Sequence, residues 1–156
     1  MNLQRKLLAT VLAAGLVAIA SAQAQETKIK RENLPRAVEK TVSEQSKGAT
    51  IRGFSKEVEQ GRTYYEAEFL VDGHAKDILV DENGKIVEVE ETVALDSLSP
   101  VINDALVEAA GAGKIIKVES LTKNGKLVAY EAVVRTGKKS HEIQVGPDGK
   151  KLIHPE

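Results

Sequence analysis

The sequence predicts an α+β fold of two repeats, each one helix followed by a three- to four-stranded antiparallel meander, with the helices on one face of the sheet. Three observations carry that prediction. The chain returns on itself at one offset, 65 residues: Tyr65-Glu66-Ala67 comes back as Tyr130-Glu131-Ala132, Ile78 and Val80 as Ile143 and Val145, and Gly84-Lys85 as Gly149-Lys150. Self-similarity at a fixed period marks a duplicated structural unit. Apolar and polar residues alternate between these landmarks with the period of two that a half-buried strand needs. Two-residue turn signals, above all Asp72-Gly73 and Asn124-Gly125, separate the alternating runs.

Taken in order, the chain opens with Arg5 and Lys6, then an unbroken apolar and small-residue run from Leu7 to Ala20, then Ser21-Ala22-Gln23-Ala24. This is the pattern of an export signal, residues 1–24, with the cut expected after Ala24. The run of 14 residues is shorter than the roughly 20 a membrane span needs. No Cys follows it to carry a lipid. Residues 25–33 read as a flexible polar lead. The first repeat, 34–92, begins with a helix: Asn33 is the expected N-cap, Pro35 sits in the first turn, and Leu34, Val38 and Val42 form a narrow apolar stripe. Gly48 supplies the stop.

Strands are expected over Thr50–Val58, with Gly53 at a bulge, then Thr63–Val71, His74–Val80 and Lys85–Glu90. In the second of these, Tyr65, Ala67, Phe69 and Val71 point one way and Tyr64, Glu66, Glu68 and Leu70 the other. The second repeat, 98–156, reopens with Ser99 as N-cap and Pro100 at the first helical position, and Gly111 and Gly113 end its helix. Strands follow over Ile115–Thr122, Leu127–Arg135, Ser140–Val145 and Lys150–Ile153. One helix on a small sheet is marginal alone, so the halves either share a core or continue one sheet across the junction.

Composition excludes several function classes. Removing residues 1–24 takes away Arg5 and Lys6 and no acid, so the net charge moves from -1 to -3. That balance is not the basic footprint of a nucleic-acid binder, and 3% aromatic residues do not make a stacking platform. With no Cys, neither disulfides nor a thiol nucleophile are available. His141-Glu142 lacks the second His that a zinc-peptidase helix needs four residues on; Val145 stands there. His74, His141 and His154 are the only imidazoles, and nothing in their spacing gathers them at a metal. Asp81-Glu82-Asn83-Gly84 opens like a calcium loop, but Thr92 occupies the twelfth position where Glu is required, and a hairpin turn explains the segment. There is no Gly-x-Ser-x-Gly elbow. Gly111-Ala112-Gly113-Lys114 follows a helix, where a phosphate loop would precede one.

Leu34-Pro35, Val38, Val42 and Gly48-Ala49-Thr50-Ile51, then Tyr64-Tyr65-Glu66-Ala67-Glu68, then Asp72-Gly73, Asp77-Ile78-Leu79-Val80-Asp81 and Gly84-Lys85-Ile86 together resemble the PepSY domain in its exported tandem form. The second unit departs from the pattern at Ser99-Pro100, which replaces Leu-Pro, and at Gly146, which stands where Asp81 stood. The resemblance covers about residues 34 to 153. It implies a non-catalytic module outside the cytoplasm. In architecture it is similar to beta-lactamase inhibitory proteins, in which two helix-plus-sheet repeats give a concave sheet that grips a protein. The family offers no catalytic residues to carry over.

The expected function is therefore an exported, periplasmic, non-catalytic module, with no cofactor, that binds or inhibits a secreted or envelope protein through its open sheet face. In a host without an outer membrane the location becomes extracellular. The expected partner-binding residues are Tyr64, Glu66, Glu68 and Leu70 on one central strand and Glu131, Val133 and Arg135 on the other. Tyr64 and Leu70 serve as anchors, with the charges setting register. The alternative is a periplasmic small-ligand or metal-ion binder. Acidic residues gather in the first half (Glu57, Glu59, Glu88, Glu90, Glu91) and basic ones in the second (Lys114, Lys117, Lys123, Lys126). Such charges suit solvated strand faces and protected edges, or a charged partner.

Overall fold

The computed structural model describes residues 26–153 and Glu156; the export signal and His154 lie outside them. Alternating β-branched and aromatic residues produce seven long strands: β2 Thr50–Glu59, β3 Arg62–Val71, β4 His74–Asp81, β5 Ile86–Thr92, β6 Lys114–Lys123, β7 Lys126–Thr136 and β8 Lys139–Val145. A two-residue strand, β1 Thr27–Lys28, precedes them and pairs with Lys56 and Ser55 of β2. The helices are α1 Arg36–Gln45 and α2 Pro100–Ala110.

All eight strands form one antiparallel sheet in chain order, β1 to β8. This corrects the expected division into two repeats of a helix plus a three- to four-stranded meander. Strands make up about half of the described residues, and β5 runs directly into β6 across the junction, from Glu88 opposite Lys123 to Thr92 opposite Glu119. The physical reason is edge pairing. Two separate meanders would each leave an inner edge of unpaired backbone groups, and joining β5 to β6 removes both. The expected closing strand at Lys150–Ile153 is reduced to a single bridge between Val145 and Lys151.

The hairpin turns follow the residues that permit them. Gln60-Gly61, Asp72-Gly73 and Asn124-Gly125 each place two successive residues at positive φ, between 49° and 85°, as two-residue hairpins of matching twist require. The register slips between Ile51 and Gly53 of β2 and between Ile115 and Lys117 of β6. Arg52 and Ile116 are the extra residues, and the second slip leaves Ile116 exposed.

Asn33 does not cap α1. It closes a 3-10 turn over Arg31–Asn33, and Pro35 occupies the cap position. An Arg31–Glu39 ion pair of 2.7 Å spans the two segments. Leu34, Val38 and Val42 then pack on Phe54, Tyr65, Ala67, Phe69, Ile78 and Val80. Ile102 and Leu106 of α2 pack on Val118, Ala132, Val134, Ile143 and Val145. Cross-strand register puts both clusters on the same face: Ile78 lies opposite Val89, Val89 opposite Thr122, and Val118 opposite Ala132. Among the described residues the other face carries no helix.

Candidate functional site

The uncovered face is built by the alternate residues of each strand. From β2 to β5 one row runs Ser55, Glu66, Leu79, Glu88. The next runs Glu68, Asp77, Glu90 and on to Leu121 and Ala129. A third holds Glu119, Glu131 and Gln144. Among the described residues no helix covers these side chains, and only the C-terminal tail reaches them, where the Glu156 N–H donates to Gln144 Oε1 at 2.8 Å; yet Ser55, Leu121, Ala129, Glu119 and Gln144 are all less than 9% exposed. Adjacent side chains of the same face shield them, and the carboxylates of the face are held partly out of water.

Hydrogen bonds fix the rim of this surface. The Ser55 hydroxyl donates to Glu66 Oε2 at 2.6 Å. The Gln144 amide donates to Glu131 Oε2 at 2.8 Å. Lys117 Nζ lies 2.6 Å from Glu119 Oε2, and Lys123 Nζ 3.6 Å from Glu88. In the centre, one oxygen each of Asp77, Glu90 and Glu119 lie within 4.8 Å of one another. Beside them is a pocket of about 120 Å³ lined by Glu57, Glu66, Asp77, Leu79, Glu88 and Glu90.

Burial and mutual repulsion disturb the acids. Glu90 is pushed up to about 7, first by desolvation and then by Glu119, Glu88, Glu131 and Asp77. Asp77 rises to about 6, again from burial first and then from Glu66, Glu68 and Glu119, with Lys117 opposing. Glu57 is raised by burial and then Glu66. Glu66 and Glu131 are raised by burial, which their bonds from Ser55 and Gln144 only partly offset.

Tyr64, Glu66, Glu68 and Leu70 of β3 and Glu131 and Val133 of β7 are half-buried side chains of this face, and Arg135 stands exposed at its far end. The two strands are separated by β4, β5 and β6. At about 4.8 Å per strand, the two groups sit roughly 19 Å apart and do not touch. The residues that occupy the middle are Asp77, Glu90 and Glu119. Alternation of Asp77 against Ile78 and Val80 signals its outward face, but the meeting of Glu90 with Glu119 depends on the β5–β6 pairing.

The remaining motifs resolve as local structure. Asp81 Oδ1 accepts from the Asn83 and Lys85 backbone N–H groups, both at 2.9 Å, so this carboxylate closes a turn. Gly111 N–H bonds the Val107 and Glu108 carbonyls and ends α2. His74 and His141 are exposed and away from the acidic centre.

No family model and no curated protein matches the chain. Solved structures do. A BLIP-like protein from Bacteroides fragilis aligns with a TM-score of 0.56 and 22% identity, covering 76% of this chain and 83% of that one. A DUF2874 family protein from Bacteroides ovatus aligns with a TM-score of 0.59 and 21% identity over 76% and 84%. A protein from Bacteroides eggerthii described as periplasmic aligns with a TM-score of 0.60 and 18% identity over 76% and 85%. At these identities the likeness is one of fold: the sheet-and-two-helix architecture is shared with a BLIP-like protein and with DUF2874 family proteins.

Proposed function

We propose that this chain is an exported, non-catalytic module that binds a secreted or envelope protein or peptide on the uncovered face of its sheet, and inhibits a partner whose working surface it covers. The observation that carries the reading is that face: seven long strands wide, bare of helices among the described residues, with its polar side chains already half withdrawn from water. Such a surface has met part of the desolvation cost of binding before a partner arrives. The export pattern of residues 1–24 and the periplasmic description of a fold neighbour support a periplasmic location. The Tyr64–Glu68 segment supports the PepSY-like reading, and the BLIP-like neighbour supports an inhibitor-like one. The test is capture from the host's envelope extract with residues 25–156. A retained protein that is lost with a Tyr64→Ala, Glu68→Lys variant supports the reading; retention unchanged by the variant defeats it.

A second reading, a divalent-cation binder, is favoured by the Asp77–Glu90–Glu119 convergence. Hard cations take oxygen ligands of this kind, but Lys117 already holds Glu119 at 2.6 Å. A rise in melting midpoint on adding calcium, lost in Asp77→Asn, supports the ion.

A further inference from the structure

Resting on the reading of the uncovered face as a binding surface, we propose that its occupant is a basic, extended segment of the partner protein, laid along β3 to β5 with lysine or arginine side chains between Glu66, Glu68, Asp77, Glu88 and Glu90. Charge complementarity points to this occupant. Among the described residues, the one ammonium group within ion-pair distance of these five acids is Lys123, 3.6 Å from Glu88. Four acids on three adjacent strands thus face outward without an ion pair, and the one nearby ammonium that acts on Asp77 and Glu90, Lys117, is already held by Glu119 at 2.6 Å. Burial first and neighbouring acids second raise Glu90 to about 7 and Asp77 to about 6. The charged groups facing Glu90 are Glu88 on its own strand, Asp77 on β4, Glu119 and the cationic Lys117 on β6, and Glu131 one strand further on β7.

Spacing favours a peptide over a single ion. The acids spread over three strands, about 10 Å across, whereas an ion gathers its ligands within about 2.6 Å. Along one strand, Glu66 and Glu68, or Glu88 and Glu90, are two residues apart, roughly 6.8 Å. An extended peptide presents same-side side chains at that same interval. Leu79 lines the pocket between these acids, giving apolar ground for lysine or arginine stems whose heads meet the carboxylates.

The experiment is fluorescence anisotropy of labelled octalysine against residues 25–156 at low salt, with octaglutamate as the control probe. The isosteric variant Asp77→Asn, Glu88→Gln, Glu90→Gln is compared with Glu32→Gln, Glu44→Gln, Glu108→Gln, which removes the same charge from exposed positions off this face. The proposal expects octalysine binding, about tenfold weaker in the first variant and within about twofold of the parent in the second. Binding should also weaken from pH 7.5 to 5.5 as Glu90 and Asp77 take up protons. Equal weakening by both variants overturns it, because net charge alone then explains the binding. Calcium that displaces octalysine and raises the melting midpoint through the same three acids overturns it in favour of an ion. Sedimentation showing a dimer that the first variant dissociates overturns it in favour of a second copy of the chain, whose Lys138-Lys139 turn is exposed. If octalysine fails to bind while Tyr64→Ala, Glu68→Lys still abolishes envelope capture, this inference falls and the binding-face reading stands. If neither measurement responds to either face variant, both fall.

Discussion

At Gly84 the chain passes so near α1 that a Cβ would lie 2.6 Å from the Ala37 carbonyl oxygen, and its φ is +83°. Both the backbone angle and the contact forbid a side chain. At Gly73, φ is +85° but nothing lies within 4 Å. Gly84→Ala is therefore expected to destabilise by about 3 kcal/mol and Gly73→Ala by about 1 kcal/mol, read as the difference in denaturant midpoint at constant slope. Glu90 gives a prediction of opposite sign. An unfolded Glu titrates at about 4.3, whereas burial pushes Glu90 up to about 7 in the fold. Between those values the native state holds the extra proton, so its contribution is fully present below about pH 4 and lost as pH rises through 7. Glu90→Gln should flatten that decline and, at pH 8, exceed the parent by on the order of 1 kcal/mol after allowance for solvent screening. Thermal melts at pH 5 and pH 8 check it; equal slopes for both proteins sink it. The sequence shows Gly84 as a turn glycine and Glu90 as one acid among many. What it hides is the neighbour each meets, Ala37 in one case and Glu119 in the other.

Elements were legible where local rules govern them. Each of the seven long strands lies within two residues of its expected bounds, because Asp72-Gly73 and Asn124-Gly125 fix the hairpins and alternation fixes the faces. The start of α1 was not, because Asn33 looks like a cap while Leu34 must turn inward as an 8% exposed core residue. That demand holds Leu34 extended, and the helix begins after Pro35. Where α1 docks is set by Thr41, whose hydroxyl donates to the Gly84 carbonyl at 2.6 Å. Thr41→Val keeps the shape and leaves that part-buried carbonyl without its side-chain donor, so a loss of about 1 kcal/mol is expected. Faster amide exchange along α1, with that of α2 unchanged, is the accompanying signature.

For the whole molecule, the single sheet binds two core clusters into one body. Neither cluster is large, and β5–β6 is the seam between them. Calorimetry should show one transition, and Val42→Ala in the first cluster should lower it by the equivalent of about 2 kcal/mol; two resolved transitions would count against a shared body. The seam was the part the sequence left open, since it joins segments about 30 residues apart with no local signal, and the acidic centre exists only because of it. The plain order of the strands has a further consequence, for how fast the molecule is made. Every strand from β1 to β8 pairs only with its neighbours in the chain. Such a sheet can be zipped hairpin by hairpin from any of its tight turns, with loop closures of a few residues at all but two joints, the one α1 spans and the one α2 spans. Folding rates rise as contacts become more local. Refolding should therefore outpace that of all-β sandwiches of similar size, whose strands must find distant partners, and the closing of the β5–β6 seam should set its slowest step.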